Sequence, residues 1–573
     1  MDLATPIHYL SLPLGFLFLL FLTRHLWFIG DIFDFFGRMQ AACVPLIPGR
    51  GACGGMTAFS LMLPHNEHWS TIPILITFLL YKLVGLYSYV PYMAVELATH
   101  VVATNLLWRW MRRLGADPWV ATGLATVFLF LGAGAEDIEW SFQMAWMLSI
   151  DLGLIGLYLV DVDGPSTWGR DAGYWALAVA ACMCSGIGVC MVFLGASVAL
   201  LRRGWQAMLR TAAVPGAAYL IWLVWVATAA PSLLSTSPAT GSQLLQVPLY
   251  VGTGLVSAIA NTFSPSGLGE TLSAGLGGAL AVGLGVWLVR NRGLARGPAA
   301  LALAAPVVAA LFFAIVGVGR VSLGVAEAGA SRYAYLWVLL LLPATAVALT
   351  QLVRRWSASR WVVVGLAAAL TLNGAAVLTT YADANAVLQT QERGEILGAA
   401  HLLADGAPLA VGGEGLVEPM HSSNLTVAAL RSMIAAGRIP MHTPISATDT
   451  IDAALYLQVA VGSTPPAGVP GAAPRLEGTM VPSPPPGGAS CVELADGSPL
   501  QLTFSTPSWI SVRPTVSGKL SIQLAWQGDS RDLTAPRAFP VSGDGTAYLH
   551  ITAAGSSALI SLPAAATVCG VEG

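Results

Sequence analysis

Long apolar segments recur along the first two thirds of the chain, separated by short polar stretches. About 20 apolar residues suffice to cross the hydrocarbon core of a bilayer as an α-helix. Segments of this kind lie at 7–28, 88–108, 117–134, 144–161, 211–230, 272–289, 298–316, 334–353 and 361–380. The apolar stretch 172–201 breaks at Ser185 and Gly186 and predicts two short spans joined by a tight turn. The pattern predicts a polytopic α-helical domain over residues 1–380 with about 11 transmembrane helices. A further apolar segment, 247–263, is expected to lie on the membrane or to dip into it.

Beyond residue 380 the pattern changes. Residues 381–461 combine helical periodicity, at 391–404, 426–437 and 446–459, with short apolar runs, which predicts a mixed α/β region. Residues 462–488 are rich in Pro and Gly and are expected to form a linker. Between 489 and 573, short alternating runs at 500–504, 509–512, 520–526, 547–551 and 558–562 predict a small β-sandwich.

Arginine residues are distributed unevenly between the loops. One side holds most of them: Arg109, Arg112, Arg113, Arg170, Arg202, Arg203, Arg210, Arg290, Arg292, Arg296, Arg354, Arg355 and Arg360. The positive-inside rule makes this side cytoplasmic. The N-terminus is then cytoplasmic, and the loops 29–87, 135–143, 231–271 and 317–333 and the tail lie outside the plasma membrane. The first segment lacks a basic leader region, so we expect it to remain as a span and not to be a cleaved signal peptide.

Composition narrows the class of protein. Of the 573 residues, 55% are hydrophobic and 10% are charged, whereas soluble domains carry roughly 25% charged residues. These values exclude a soluble enzyme and a disordered chain, and a net charge of −3 without a basic patch excludes a nucleic-acid binder. The chain has no Walker loop and no Gly-x-Ser-x-Gly elbow. The apolar segments carry almost no charge, which disfavours a proton- or ion-coupled transporter.

The cysteine positions fit this layout. Cys491 opens the predicted sandwich and Cys569 nearly closes it, so a disulfide between them would stabilise a small domain in an oxidising compartment. Cys43 and Cys53 share the first outer loop and can pair as well. The three remaining cysteines fall in the broken hairpin and are expected to be buried thiols: Cys182, Cys184 and Cys190.

Two polar clusters lie in the first outer loop, where ionisable groups are candidates for function. Asp31 and Asp34 follow the first span directly; either can act as a general base, or both can bind a divalent cation. The alternative is a helix end with two solvated carboxylates. The second cluster can bind a metal ion or a phosphate, or it is a wet loop that caps a helix near residue 71; its members are His65, Asn66, Glu67, His68 and Trp69.

Two further clusters lie in later outer loops. The first can add metal ligands or bind sugar hydroxyls, or it is simply a solvated acidic loop: Glu136, Asp137, Glu139, Trp140 and Gln143. The second comprises Arg332 and Tyr333 before a late span, with Arg320 and Glu327 upstream. An arginine there can bind a phosphate through two parallel hydrogen bonds. Its alternative is an interfacial anchor, with Tyr333 and Tyr335 in the aromatic belt.

The order of these elements resembles the GT-C superfamily of integral-membrane glycosyltransferases, which includes actinobacterial arabinofuranosyltransferases and mannosyltransferases. The likeness rests on a first span followed by a long outer loop that opens with acidic residues, here Asp31 and Asp34. It also rests on a body of many spans, on Ser331-Arg332-Tyr333 before a late span, and on the outer C-terminal domain. The adjacent acidic pair of several members is replaced here by two separated carboxylates.

The resemblance implies a sugar donor on a polyprenyl phosphate and an extracytoplasmic glycan or lipid-linked acceptor, as in cell-wall polysaccharide synthesis. It implies that Asp31 or Asp34 is the catalytic base, and it makes the sandwich similar to carbohydrate-binding domains. A divalent cation, Mg²⁺ or Mn²⁺, stays an open option, with Asp31, Asp34, His65, Glu67 and His68 as candidate ligands. The other expected partner is membrane lipid.

Two alternatives to this function remain open. The first is a non-catalytic membrane scaffold or a lipid-glycan translocase. The second is a polymerase or ligase that moves pre-assembled lipid-linked glycans instead of single sugars.

Overall fold

The computed structural model describes residues 3–40, 60–164, 166–229, 240–263, 270–293, 297, 299–419, 422–463, 491–494, 499–504, 507–526, 533–543, 545–562 and 564–570. The chain divides into two compact units. The helical unit comprises Met1–Leu26, Ala42–Leu80 and Tyr89–Ala386, and the mixed unit comprises Trp27–Ala41, Tyr81–Ser88 and Val387–Gly573. The expected domain boundary at residue 380 therefore differs from the structural division, because two early segments belong to the mixed unit.

The α-helices, in chain order, are α1 Ala4–Leu22, α2 Ile32–Gln40, α3 Thr71–Val84, α4 Val90–Arg113, α5 Pro118–Leu129, α6 Ala135–Ile138, α7 Met144–Val160, α8 Trp168–Cys182, α9 Ile187–Arg203, α10 Trp205–Ala229, α11 Gly241–Leu244, α12 Val247–Phe263, α13 Glu270–Arg290, α14 Ala300–Arg320, α15 Ser331–Arg355, α16 Ser359–Ala404, α17 Val427–Ala435 and α18 Ala447–Leu457. Short 3₁₀ turns at Gly132–Gly134, Ser141–Gln143 and Val325–Gly329 connect some of them.

The β-strands, in the same order, are β1 Pro64–His65, β2 His68–Trp69, β3 Leu416–Glu418, β4 Ser422–Thr426, β5 Val459–Gly462, β6 Cys491–Leu494, β7 Leu500–Phe504, β8 Ser508–Pro514, β9 Gly518–Trp526, β10 Arg537–Val541, β11 Ala547–Ile551, β12 Ser556–Ser561 and β13 Ala566–Gly570.

Eight helical segments of the described chain are long and apolar enough to cross a membrane: Ala4–His25, Pro118–Ile138, Ser141–Val160, Trp205–Ala229, Thr271–Arg290, Ala300–Leu323, Ser331–Arg355 and Ser359–Ala404. The sequence predicts about 11 spans. The difference lies in α4, α8 and α9, which are helices at the predicted places but fall outside this group. The helices α8 and α9 have 15 and 17 residues and break around Ser185 as expected.

Local sequence explains how the helices begin and pack. The α5 helix starts at Pro118 because the Asp117 side chain caps it, accepting hydrogen bonds from the backbone N–H groups of Trp119 and Val120 at 3.0 and 3.4 Å. The α7 and α9 helices approach closely at Gly153, where a Cβ atom would lie 2.5 Å from the Met191 Cβ. Small residues allow such close approach between apolar helices.

The mixed unit contains a two-layer β-sandwich. One sheet has the strand order β10-β9-β12-β7 and the other has the order β5-β11-β8-β13-β6. All strand pairs in these two sheets are antiparallel. Alternate residues of β7, β8 and β9 are buried, as the period of two predicts. The sandwich predicted from alternating runs is therefore present, and those runs did not reveal four of its strands, β5, β6, β10 and β13.

The sandwich begins earlier in the chain than the expected boundary at 489. The β5 strand precedes the Pro/Gly-rich stretch and pairs with β11, from Val459 opposite Ile551 to Gly462 opposite Tyr548. Ile451 and Leu455 of α18 also belong to the same buried apolar core. The expected linker itself lies almost wholly outside the described residues.

Long-range hydrogen bonds connect the early segments of the mixed unit to its later ones. The backbone N–H of Trp27 donates to Gln389 Oε1 at 2.7 Å, across 362 residues of chain. The backbone N–H of Leu86 donates to the carbonyl of Arg438 at 2.9 Å. These bonds join parts of the segment 27–88 to the tail within one unit.

The cysteines behave largely as expected. Cys491 and Cys569 form a disulfide between the neighbouring strands β6 and β13. Cys182, Cys184 and Cys190 are free and buried in the helical unit. Cys43 and Cys53 lie outside the described residues, so their pairing stays a prediction.

Candidate functional site

Arg332 occupies the first turn of α15 and is held by two carboxylates. Its Nη1 donates to Glu136 Oε1 at 2.9 Å, and its Nη2 donates to Glu327 Oε1. Ser331 completes the arrangement, since its Oγ accepts from the Glu136 backbone N–H at 3.2 Å and donates to the Ala133 carbonyl at 2.9 Å. The arginine is thus fixed in place, and the two glutamates together exceed its charge.

The hairpin β1–β2 carries the second predicted cluster. His65 lies opposite His68, and Asn66 adopts a positive φ of 45° in the two-residue turn between them. Asn tolerates that conformation better than most residues, which explains its place in the turn. The alternative prediction for this segment was a wet loop that caps a helix near residue 71. The segment forms a hairpin instead of a loop, and the helix α3 begins at Thr71.

Three of the four predicted clusters meet within the helical unit. The His65 ring lies 5.0 Å from the Phe142 ring, which lies 5.0 Å from the Trp140 ring. Arg320 Nη2 lies 3.4 Å from Glu67 Oε2, and Arg332 pairs with Glu136 as described. The hairpin, the acidic turn and the two arginines therefore form one connected group, which we call the turn cluster.

Other predicted members have different surroundings. Trp69 is buried, stacks on Trp222 at 5.4 Å and donates its indole N–H to Thr71 Oγ1 at 2.8 Å. His68 packs against Gly186, where a Cβ atom would lie 2.7 Å from its Nδ1. Tyr333 is buried beside Phe313. Its place in the aromatic belt, the alternative interpretation, stays a prediction.

Asp31 and Asp34 belong to the mixed unit. Asp31 lies in the turn before α2, and Asp34 lies in the first turn of that helix, with its backbone N–H 3.1 Å from the Asp31 carbonyl oxygen. Both side chains are partly buried. Their proposed role as base stays a prediction from the sequence.

The acidic turn after α5 is buried rather than solvated. Asp137, Glu139, Ser141 and Gln143 are all almost fully buried. Within the described residues, neither carboxylate oxygen of Asp137 or Glu139 has a hydrogen-bond partner, and the same holds for Ser141 Oγ and Gln143 Oε1. Buried polar groups are normally paired, so a set of unpaired ones marks a site built for something other than stability.

Glu139 has a strongly altered ionisation. Burial, and then the charge of Asp383, raises the pKa of Glu139 to about 9. The carboxyl group is therefore neutral at pH 7 and can donate a hydrogen bond to an oxygen of a ligand.

Deeper in the helical unit lie two carboxylates that the sequence interpretation missed. Glu96 on α4 is fully buried, and Asp151 on α7 is nearly so. Neither Glu96 oxygen, nor Asp151 Oδ1, has a hydrogen-bond partner among the described residues. Glu96 interacts electrostatically with both Asp137 and Asp151. The apolar helices α4 and α7 therefore contain buried ionisable groups. The near absence of charge in the apolar segments was the argument against a proton- or ion-coupled transporter, and these two residues weaken that argument.

One turn beyond Glu96, His100 joins this buried group. Its Nε2 lies 3.0 Å from the Leu129 carbonyl and its Nδ1 lies 2.9 Å from the Tyr335 hydroxyl. A carbonyl only accepts, so Nε2 carries the proton, and in the neutral ring Nδ1 accepts from Tyr335. Tyr335 also interacts electrostatically with Asp151, Asp137 and Glu96, so it belongs to this network. We call Glu96, His100, Asp137, Asp151 and Tyr335 the buried network.

One signal in the sequence could have revealed the buried network. Glu96 and His100 are spaced i, i+4 in a predicted span, and Asp151 lies inside another predicted span. An ionisable residue within a span is a functional candidate by default. The prediction from sequence considered the average charge of whole segments, and these three residues contribute little to that average.

Among the described residues, no three His, Cys, Asp or Glu side chains are placed to hold a metal ion. A divalent cation stays a prediction from the sequence.

Comparison of the chain with protein-family models, with curated protein sequences and with solved structures found no match. The class that the fold defines is a mostly helical protein with membrane-length helices and a small C-terminal β-sandwich.

Proposed function

We propose that the chain is a membrane glycosyltransferase that moves a sugar from a polyprenyl-phosphate donor to an extracytoplasmic glycan or lipid-linked acceptor. The observation that supports this proposal best is the turn cluster. It combines a fixed arginine, aromatic rings and a neutral carboxyl group, which together suit an anionic leaving group and a sugar.

The chemistry assigns a role to each part. The bond between the sugar C1 atom and the donor phosphate oxygen breaks, and a bond from C1 to the acceptor oxygen forms. The acceptor hydroxyl gives its proton to a carboxylate base, and the lipid phosphate leaves. The resemblance alone assigns this base to Asp31 or Asp34, independently of the turn cluster. Arg332 stabilises the negative charge on that phosphate, and Glu139 donates a hydrogen bond to the phosphate or to a sugar hydroxyl. Trp140 supplies a stacking surface for the ring.

The glutamates around Arg332 set a condition on this proposal. A phosphate next to Arg332 would lie near Glu136 and Glu327, whose charges oppose it. A phosphate can therefore bind only if it displaces one of these carboxylates from the guanidinium group. Donor binding should then become tighter when Glu327 is replaced by Gln, which removes a competing charge and keeps the shape.

A transfer assay with purified protein tests the proposal. The protein would be incubated with a set of radiolabelled polyprenyl-phosphate sugars and a cell-wall glycan extract, and the lipids that co-purify with it would be identified by mass spectrometry. We expect transfer from one donor, a higher donor KM in R332Q and a lower one in E327Q. R354Q serves as the control, since Arg354 lies at the arginine-rich end of α15, where its Nη2 donates to the Gly115 carbonyl. No transfer and no bound polyprenyl lipid would contradict the proposal.

A second function is favoured by the buried network. Carboxylates within spans are the groups that proton-coupled proteins use, so the chain can instead be a lipid-glycan translocase. Reconstitution into vesicles distinguishes the two proposals. A translocase would move labelled lipid-linked sugar between leaflets without forming a new glycosidic bond, and a pH gradient would change the rate in wild type but not in E96Q.

A further inference from the structure

A separate cavity of about 330 Å³ lies between the loop after α7 and the junction of α9 with α10. Its polar lining consists of Ser166, Asp171, Arg203, Gln206, Arg210 and Thr211. The volume is in the range of small-ligand sites. The α7 helix runs from Gln143 of the turn cluster to this loop, so the two sites lie at opposite ends of a helix about 25 Å long.

The cavity has more positive than negative charge. Arg203 and Arg210 form no salt bridge with any described residue, and the partly buried Arg203 Nε has no described hydrogen-bond partner. Asp171 is the acid in the lining, and it accepts a hydrogen bond from Ser166. Nearby Arg202 is already paired with Asp163 at 2.6 Å and with Asp161 at 3.4 Å. Asp171 interacts electrostatically with Arg203, so two arginines against this one acid leave net positive charge in the lining for an anion.

The surroundings of the cavity are apolar and exposed. Gly204 has a φ of 87° and ends α9, which places Arg203 and Trp205 on either side of a sharp turn. Trp205 is 62% exposed and Trp168, close in sequence to Ser166, is 76% exposed. Leu209 is also exposed. An exposed tryptophan at the end of a membrane-length helix, as Trp205 is at the start of α10, is typical of the level of lipid headgroups.

We propose that this cavity binds the phosphate group of an anionic phospholipid from the adjacent leaflet. Planar guanidinium groups bind phosphate through paired hydrogen bonds, and Gln206 and Thr211 add neutral donors. A soluble phosphate compound carries the same phosphate group, but it has no apolar part that would contact the exposed tryptophans. The inference does not depend on the proposed transfer reaction.

Lipid titration of the purified full-length chain tests this inference. The protein in detergent would be titrated separately with phosphatidylglycerol, with phosphatidylcholine and with inorganic phosphate, and bound lipid and Tm would be measured by native mass spectrometry and thermal unfolding. We expect phosphatidylglycerol to bind and to raise Tm, and the other two to have little effect. The R203Q/R210Q variant should bind phosphatidylglycerol about tenfold or more weakly.

Three further variants make the test specific. R290Q removes one charge from the end of α13, which does not line the cavity, and should bind as wild type does. R210Q changes an exposed side chain only, so its weaker binding cannot be attributed to misfolding. A207W fills the cavity without changing charge and should also weaken binding. Equal lipid binding by wild type and R203Q/R210Q, or stabilisation by inorganic phosphate in place of the lipid, would overturn the inference.

Discussion

Glu96 shows how much stability a single residue can cost. Its carboxyl group is fully buried on α4, and neither oxygen has a described hydrogen-bond partner. An unpaired buried polar group costs about 1–3 kcal/mol, and a charged one costs more. Natural chains retain such a cost mainly where function requires it. Measuring both the stability and the activity of a Glu96 variant therefore shows whether this residue has a functional or a structural role.

Replacing Glu96 by Gln should leave stability unchanged or raise it. The amide has nearly the same shape and carries no charge, so the desolvation cost falls. We expect the Tm of E96Q to equal or exceed that of wild type, while transfer or translocation declines. Thermal unfolding and the activity assay would both be measured, with E414Q, at an exposed glutamate, as the control. A clear loss of Tm with full activity would make Glu96 a structural residue.

The carboxylates after the first span give a second prediction at this scale. If Asp31 or Asp34 accepts the acceptor proton, the D31N/D34N variant should lose about 10²–10⁴-fold in transfer rate. Asparagine keeps the shape and removes the basicity, so donor binding and Tm should change little. D405N, at an exposed aspartate of the same unit, is the matched control. Wild-type transfer rates in D31N/D34N would refute the proposed base.

At the scale of elements, the sequence revealed which segments carry polar clusters but not how they pair. Spacing alone could not show that Arg332 at the start of α15 meets Glu136 at the start of α6, because 196 residues separate them. Tyr335 looked like an interfacial residue since it follows Tyr333 near a span end. Only the packing of α4 and α15 shows that it donates to His100 instead.

The C-terminal part of α16 forms an acidic group with β3 and β4. Glu392 and Glu395 lie in the mixed unit, beyond the apolar stretch 361–380. Glu392 accepts from the Ser422 hydroxyl, and Glu418 accepts from the Ser422 backbone N–H at 2.9 Å. Burial, and then nearby acidic charge, raises the pKa of Glu392 to about 8 and that of Glu395 to about 7. The neighbouring acids are Glu418, Asp449 and Asp452.

These raised pKa values predict that the mixed unit loses stability as pH rises. The folded unit holds protons that the unfolded chain releases near pH 4.5. The contribution is therefore complete below that pH and is lost between about pH 4.5 and pH 8. The total effect is on the order of a few kcal/mol.

Hydrogen exchange measured by mass spectrometry checks this prediction. Peptides from the mixed unit would be compared in wild type and E392Q at pH 5, 7 and 9. We expect the variant to be more protected than wild type at pH 9 and nearly equal to it at pH 5. E414Q should follow wild type throughout. Identical protection of wild type and E392Q at pH 9 would contradict the assignment.

At the scale of the whole molecule, the change in hydrophobic pattern near residue 380 located the tail but not the limits of the units. Composition cannot show that 27–41 and 81–88 belong with the tail, because that depends on contacts between distant segments. For the same reason the sequence did not predict β5, a short strand before the Pro/Gly-rich stretch. Its role follows from its pairing with β11 and not from its own four residues.

The position of β5 predicts the outcome of cutting the chain in the expected linker. A protease site would be inserted near residue 475, and the cut protein would be passed over a sizing column under native conditions. The C-terminal fragment should co-elute with the remainder, because β5 pairs with β11 and α18 shares the sandwich core. The disulfide lies within that fragment, so it cannot account for retention, and reduction should not release it. A fragment that elutes alone would contradict this arrangement.

The hydrogen bond from Trp27 to Gln389 has a consequence for how the protein is made. A ribosome synthesises the segment 27–41 long before Gln389 exists, yet the two bond in one compact unit. Contacts between such distant segments form slowly, because the loop between them must first close. The early segments must therefore wait, with their apolar side chains uncovered, until the tail has been produced. During that interval the newborn chain depends on the membrane or on a chaperone to keep Trp27, Phe33 and Phe36 from aggregating.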